Sequence, residues 1–61
     1  MSGKVLKAER IKANISQGRL AKALGVDPSL LSKIENEQAN VTEDLEKLYL
    51  KKLKELKNSE G

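Results

Sequence analysis

The 61-residue sequence contains no cysteine, no histidine and a single aromatic residue, Tyr49. Without cysteine or histidine, the chain has neither a disulfide nor the thiolate and imidazole ligands of a typical zinc site, so a domain this small depends on side-chain packing. A single aromatic side chain cannot form the platform on which many RNA-binding and single-strand-binding domains stack bases. Duplex DNA is not excluded as a partner.

The sequence also lacks the features of an enzyme or a membrane protein. Its serines have no histidine to activate them, it has no glycine-rich phosphate loop, and the carboxylates of Glu43 and Asp44 fit the positive end of a helix dipole. We therefore expect no enzymatic activity, no cofactor, no metal and no small-molecule ligand. Because no long apolar run or export signal is present, we also expect no membrane association and a cytoplasmic, nucleoid-associated protein.

Apolar residues recur at helical rather than strand spacing along the whole chain. The pattern predicts helices from about Gly3 to Ala13, from the cap residue Ser16 to Leu24, from Pro28 to about Asn36, and from Glu43 to Lys57. The expected fold class is all-α, a small bundle of four helices, or of five where the last one divides. We expect one domain over residues 1–57 and a disordered tail over residues 58–61.

The second and third helices are separated by the short turn Gly25-Val26-Asp27. Glycine fits the left-handed conformation that ends a helix, Val26 can fill the corner between the helices, and Asp27 followed by Pro28 suits a helix start. This layout predicts a helix-turn-helix, in which the second of the two helices enters the major groove of DNA.

The residues around this turn resemble a known family. The run Ile15-Ser16-Gln17, then Leu20-Ala21, Leu24-Gly25-Val26, Ser32 and Ile34-Glu35-Asn36, resembles the phage repressor and Cro type of helix-turn-helix domain, also called the lambda-repressor-like or XRE family. The resemblance extends from about Leu6 to Leu53. It implies a bundle of usually five helices that binds operator DNA, commonly as a dimer, and controls transcription.

The resemblance assigns roles to individual positions. Pro28, Ser29 and Lys33 occupy positions that read base edges, and Lys33 can donate either to guanine or to a phosphate. Contacts with the DNA backbone are expected from Ser16, Gln17, Arg19, Ser32 and Asn36. Alternatives are a simple exposed residue for Gln17, a solvent-facing residue for Ser32 and a helix cap for Asn36.

Arg10 and Glu35 match a pair that the family often forms between its first and third helices. Because Arg10 lies on the apolar face of its helix, we interpret the pair as a structural ion pair. Two departures from the family stand beside this match: Glu37 replaces a frequent glycine, and one long helix replaces the usual fourth and fifth helices.

Charge is unevenly distributed along the chain. Residues 1–24 carry six cations and one acid (+5), residues 25–46 one cation and six acids (−5), and residues 47–61 five cations and two acids (+3). Because the helix expected to enter the major groove, over residues 28–36, lies in the acidic segment, attraction to phosphates must come from the first two helices. The cations concerned are Lys4, Lys7, Lys12, Arg19 and Lys22.

Two functions fit the sequence. The first is a sequence-specific duplex-DNA-binding transcriptional regulator, expected to be a repressor, that places the helix over residues 28–36 in the major groove. A homodimer is expected to form through Leu50, Leu53 and Leu56 of the last helix. The alternative is a protein-interaction module on the same fold, antitoxin-like or a co-regulator, that uses the last helix to bind another protein.

Overall fold

The computed structural model describes residues 2–59, and these residues form four helices and no strand. The helices are α1 (Gly3–Lys12), α2 (Gln17–Leu24), α3 (Pro28–Glu35) and α4 (Glu43–Ser59). The all-α fold class is therefore confirmed, with four helices in the described range because α4 is continuous.

Helix α4 runs two residues beyond Lys57, where we expected the tail to begin. The hydroxyl of Ser59 donates a hydrogen bond to the carbonyl oxygen of Leu56 at 2.9 Å, which satisfies one of the open carbonyls of the last turn. Asn58 and Ser59 are thus helical, and the remaining two residues of the expected tail lie outside the described range.

Short polar residues define most of the helix ends. The hydroxyls of Ser2, Ser16 and Thr42 accept hydrogen bonds from the backbone N–H groups of Val5, Arg19 and Leu45 at 3.3, 3.2 and 3.1 Å. Asp27 occupies the N-cap position of α3, but its side chain makes no capping hydrogen bond. The backbone N–H of Leu30 donates to the backbone oxygen of Asp27 at 3.0 Å.

The turns that follow α1 and α2 each contain a residue in the left-handed conformation, as the sequence predicts for Gly25. Gly25 ends α2 with φ 75°, and Asn14 ends the first helical segment with φ 59°. Val26 packs against the core from the corner between α2 and α3, and Val41 does the same from the loop before α4. The helix-turn-helix geometry therefore rests on local sequence signals.

The core lies among the four helices, since each of the first two packs against both of the last two. Its buried side chains are those of Leu6, Ile15, Leu20, Ala21, Leu31, Tyr49 and Leu53. Ile15, placed by the sequence in a turn, is therefore part of the core.

The apolar stripe of α4 differs from its prediction at two positions. Helical spacing from Leu45 through Tyr49 to Leu56 predicts Leu48 in the stripe and Leu50 away from its centre, but Leu48 is 40% exposed and Leu50 packs against the core. The buried face of α4 is centred on Tyr49 and Leu53 and extends toward Leu50, which lies beside Ala13 at the end of α1.

Gly3 marks a close approach between α1 and α3. A Cβ atom added at this position would overlap the backbone carbonyl oxygen of Ile34, and Gly3 is buried. The start of α1 is therefore packed against the end of α3 at Gly3. Among the described residues, no helix is long and apolar enough to cross a lipid bilayer.

Candidate nucleic-acid interface

Helix α3 presents one buried and one exposed face. Leu31, Ile34 and Glu35 point into the protein, whereas Ser29 and Lys33 are exposed on the other side and Pro28 is exposed at the helix start. Because α3 packs against α1 and α2, its outer face remains uncovered by the described residues. The three residues expected to read bases thus lie together on one free surface.

The start of α2 holds the next group of expected DNA contacts. Ser16 is exposed, and its hydroxyl caps α2 by accepting the hydrogen bond from the N–H of Arg19. Gln17 is half-buried and its side-chain amide donates to Oε1 of Glu35 at 3.1 Å. The side chain of Gln17 is therefore held in place by α3 rather than being free in solvent.

The end of α3 carries the remaining two positions. Asn36 is the C-cap residue, and its side-chain Nδ2 donates to Oγ of Ser32 at 3.2 Å. Ser32 is half-buried and Asn36 is exposed. The two side chains therefore contact each other, with the amide oxygen of Asn36 pointing to no described hydrogen-bond partner.

Behind this surface lies the predicted ion pair between Arg10 and Glu35. The guanidinium donates to the carboxylate through Nε at 2.8 Å and Nη2 at 3.1 Å, and Nη1 donates to the backbone oxygen of Ile15 at 2.8 Å. Arg10 is 8% exposed and Glu35 is 1% exposed. The bidentate geometry offsets the cost of removing both charges from water.

Tyr49 completes this cluster from α4, a role that the sequence analysis missed. Its hydroxyl donates to Oε2 of Glu35 at 2.6 Å. The carboxylate on α3 therefore accepts hydrogen bonds from Arg10 on α1, Gln17 on α2 and Tyr49 on α4, so that one side chain connects all four helices. A signal was available: a tyrosine on a buried helical stripe needs a partner for its hydroxyl.

These hydrogen bonds shift the ionisation of all three charged or ionisable members of the cluster. Burial alone raises the pKa of Glu35, but the hydrogen bonds from Arg10, Tyr49 and Gln17 outweigh burial and lower that pKa below 4.5. The hydrogen bond to Glu35 raises the pKa of Arg10. Burial and the hydrogen bond to Glu35 raise the pKa of Tyr49 above 10. At neutral pH the cluster is a charged pair with a neutral phenol.

Glu37 follows α3 in the left-handed conformation, with φ 62°. This is the conformation that glycine adopts most easily, which explains why glycine suits the position. The backbone after α3 therefore turns as a glycine would allow, although a glutamate occupies the position and carries a negative charge at the end of α3.

The described part of the chain contains no group of three or more histidine, cysteine, aspartate or glutamate side chains that could hold a metal ion. The features that stand out are instead the exposed face of α3, the fixed start of α2 beside it, and the buried cluster that joins them.

Comparison with known families decides what this arrangement is. A family model described as "Helix-turn-helix" matches residues 6–56, which is most of the chain. The chain belongs to the XRE, or lambda-repressor-like, helix-turn-helix family. No curated protein and no solved structure matches the chain significantly. The family consists of DNA-binding regulators, so this XRE domain is a DNA-binding helix-turn-helix regulator.

Proposed function

We propose that this XRE domain is a sequence-specific transcriptional repressor that inserts α3 into the major groove of duplex DNA. The observation that carries the proposal is the exposed face of Pro28, Ser29 and Lys33 on a helix whose opposite face is fixed by Glu35. A rigidly held helix reads bases better than a mobile one because its side chains are already in position before binding.

In this proposal three residues of α3 contact the bases of one half-site, the part of the operator that one protomer binds. Lys33 is the strongest base contact, since its ammonium group can donate to O6 or N7 of guanine. Ser29 forms a weaker hydrogen bond to a base or a phosphate, and Pro28 makes an apolar contact such as one with a thymine methyl group. Lys33 has no ion pair with any residue between Ser2 and Ser59, so its charge is available to DNA.

Residues at the ends of the two helices contact the DNA backbone in the same proposal. Gln17, held by Glu35, presents its free side-chain oxygen and second amide hydrogen beside α3. Ser16, Arg19, Ser32 and Asn36 are the other proposed backbone contacts. Such contacts position the reading helix but carry no sequence information of their own.

We further propose that two copies bind one operator, with half-sites about 10 bp apart. The leucines expected to form the homodimer give only an incomplete surface, because Leu53 is 6% exposed and belongs to the core of its own protomer. Leu50 and Leu56 also pack partly against that core. DNA-bound copies therefore meet through a smaller contact than the sequence suggested, and binding to the operator supplies much of their association.

Selection from a randomised duplex library tests the proposal. We expect wild-type protein to enrich one pseudo-palindromic motif and Lys33→Ala to lose preference at one base pair in each half-site, since one good base contact contributes about 1–3 kcal/mol of discrimination. Lys51→Ala, an exposed lysine of α4, is the matched control and should select the wild-type motif. Enrichment of no motif at low salt would contradict the proposal.

A further inference from the structure

A surface groove runs between the carboxyl-terminal halves of α1 and α4. It has a volume of about 220 Å³, opens to solvent, and is lined by Glu9, Lys12, Ala13, Leu50, Leu53, Lys54 and Lys57. None of these residues belongs to the proposed reading face of α3 or to the start of α2. The groove is therefore a second surface feature, and Lys12 is the one lining residue that we also expect to attract phosphates.

The floor of the groove is apolar. Ala13, Leu50 and Leu53 line it, and the small side chain of Ala13 leaves the space between the two helices open. A site that encloses a small-molecule ligand usually has a volume of at least about 300 Å³. A shallow opening of 220 Å³ fits one or two apolar side chains of a larger partner better than it fits an enclosed ligand.

The rim of the groove is positive. Lys12 stands on the α1 side, and Lys54 and Lys57 stand one turn apart on the α4 side. All three are exposed, and none forms an ion pair with a residue between Ser2 and Ser59. The half-buried Glu9 is the single acid of the lining. A partner that fits this rim carries carboxylates on either side of an apolar residue.

The same charges argue against a second copy of the chain in the groove. A symmetric dimer brings identical patches together, so the three lysines of each copy would face those of the other. Duplex DNA matches the charge but has no apolar group that projects far enough to cover Leu50 and Ala13. An acidic amphipathic helix satisfies both features, because leucines on one face and glutamates beside them recur at the spacing of one turn.

We propose that the groove between α1 and α4 is a docking site for an acidic amphipathic helix of another protein. Leucine side chains of that helix cover Ala13, Leu50 and Leu53, and its carboxylates pair with Lys12, Lys54 and Lys57. Such a partner leaves the reading face of α3 uncovered, since the groove and that face share no residue. The proposal does not depend on base contacts by α3, because it rests on the apolar floor and the lysines of the groove.

Titration of isotope-labelled protein with synthetic helical peptides of about 15 residues tests this inference. The probe peptide has leucines on one face and flanking glutamates, one matched peptide replaces leucine with serine, and another replaces glutamate with glutamine. At about 0.15 M salt we expect the probe to shift the amide signals of Ala13, Leu50 and Lys54 saturably, and each matched peptide to bind at least about tenfold more weakly.

Variants of the protein locate the site. Lys54→Glu with Lys57→Glu should weaken binding of the probe peptide at least about tenfold, whereas Lys4→Glu with Lys51→Glu makes the same charge change outside the groove and should weaken it far less. Ala13→Leu fills the floor without changing any charge and should also abolish binding. If Ala13→Leu fails to fold, the two charge variants still decide the question.

Three results would overturn the proposal. One is equal binding of the leucine and serine peptides, which would show a response to charge alone. Another is a shift of the groove signals by duplex DNA with displacement of the peptide, which would place the groove on the DNA surface. The third is a shift of the same signals on raising the protein concentration without peptide, which would identify a second copy as the occupant.

Discussion

At the scale of single residues, the hydrogen bonds to the carboxylate of Glu35 link α3 to each of the other three helices. It accepts hydrogen bonds from Arg10, Gln17 and Tyr49, and no buried side-chain polar atom in the described range lacks a hydrogen-bond partner. A satisfied buried carboxylate costs little, whereas its loss leaves a guanidinium and a phenol without partners in a poorly solvated site. The cluster therefore makes the fold sensitive to changes at one position.

We expect Glu35→Ala to destabilise the domain by about 3–5 kcal/mol, because Arg10 would remain charged and buried without its partner. Domains of this size have a total stability of only about 5 kcal/mol, so much of the variant should be unfolded at room temperature. Urea denaturation followed by circular dichroism measures the loss. A loss below about 1 kcal/mol would contradict the burial of the pair.

The hydrogen bond from Tyr49 to Glu35 determines which further substitution should restore stability once the ion pair is removed. Replacing both charges with Arg10→Leu and Glu35→Leu removes the ion pair but leaves the hydroxyl of Tyr49 without its acceptor. Adding Tyr49→Phe removes that orphaned donor. We therefore expect the triple variant to be more stable than the double variant by about 1–3 kcal/mol, and equal stabilities would show that the hydroxyl finds water instead.

The same cluster sets the pH range of stability. Because the pKa of Glu35 is lowered in the fold, the unfolded chain binds more protons below pH 4.5, and stability falls as the pH drops through that value. Because the pKa of Tyr49 is raised, the unfolded chain loses its proton first, and stability falls as the pH rises above 10. Between these limits the cluster contributes no pH dependence.

Thermal melts of wild type and Tyr49→Phe across this pH range isolate the tyrosine contribution. We expect Tyr49→Phe to be less stable than wild type at pH 7, and the difference to shrink above pH 10 because phenylalanine has no proton to lose. Every other ionisable group is the same in both proteins, so the comparison isolates the hydroxyl of Tyr49. A difference that stays constant up to pH 12 would contradict a buried, protonated phenol.

At Glu37 we predict a substitution that stabilises the domain instead of destabilising it. A residue with a Cβ atom in the left-handed conformation costs about 1–2 kcal/mol, and Glu37 has φ 62°. We expect Glu37→Gly to raise the melting temperature by about 4–8 °C for each kcal/mol gained. Glu37→Ala is the control that removes the charge but keeps the Cβ atom, so an equal gain in both variants would assign the effect to charge instead.

The sequence predicted one half of the Glu35 cluster and missed the other. Arg10 and Glu35 stand out because charges on apolar helix faces need partners, and the family pattern supplies the pairing. The contacts from Gln17 and Tyr49 depend on how closely α2 and α4 approach the end of α3, and no spacing along the chain specifies that distance. Helical periodicity predicts that Ser29 and Lys33 face outward on α3, whereas their role in reading bases is what the family resemblance implies.

At the scale of helices, the contact between Gly3 and α3 fixes how the start of α1 docks. We expect Gly3→Ala to destabilise the fold by about 1–3 kcal/mol, because the new methyl group would overlap the carbonyl oxygen of Ile34 and force the helices apart. Gly18→Ala is the matched variant: Gly18 lies in α2 with nothing within 4 Å of an added Cβ atom.

The two glycine variants should therefore shift stability in opposite directions. Gly18→Ala should stabilise the domain by about 0.5–1 kcal/mol, since alanine favours the helix and meets no neighbour. Chemical denaturation of both variants under the same conditions measures the pair. A stabilising effect of Gly3→Ala would show that α1 and α3 separate readily at this point.

Helix boundaries were the easiest features to predict, because capping residues act locally. Ser16, Asn14, Gly25 and Thr42 stop or start helices through their own backbone preferences and hydrogen bonds. The face of α4 was harder to predict. Five leucines and a tyrosine are distributed around much of that helix, so periodicity alone does not determine which side faces the core. Leu48 and Leu50 are both possible core residues from the sequence, and in the folded chain Leu50 is the one that packs there.

At the scale of the whole molecule, positive and negative charges are concentrated in different parts of the chain. The net charge of +3 is the sum of two basic segments and an acidic one that contains α3. From this distribution we expect phosphate attraction mainly from α1 and α2, while α3 contributes Lys33 against the acids that follow it. The proposed docking groove draws on the same basic surplus, at a site away from α3.

The dependence of DNA binding on salt decides what Lys33 contacts. Each neutralised phosphate contributes about 0.9 to the slope of log K against log salt, so two or three phosphate contacts per protomer give a slope of about −2 to −3 per protomer. If Lys33 contacts guanine, Lys33→Ala should leave this slope nearly unchanged while relaxing preference at one base pair; if it contacts a phosphate, the slope should become shallower by about one unit.

We expect Lys33 to contact guanine, because it lies on the exposed face of α3 with Ser29. Both residues are within about one turn of the helix start that we propose enters the major groove of DNA. Arg19→Ala is the comparison, since Arg19 is a proposed phosphate contact near the start of α2 and its loss should make the slope shallower without changing the selected motif. Fluorescence anisotropy with one operator and one scrambled duplex, measured at several salt concentrations, gives both quantities. A shallower slope for Lys33→Ala with an unchanged motif would reassign Lys33 to the DNA backbone and leave base reading to Pro28 and Ser29.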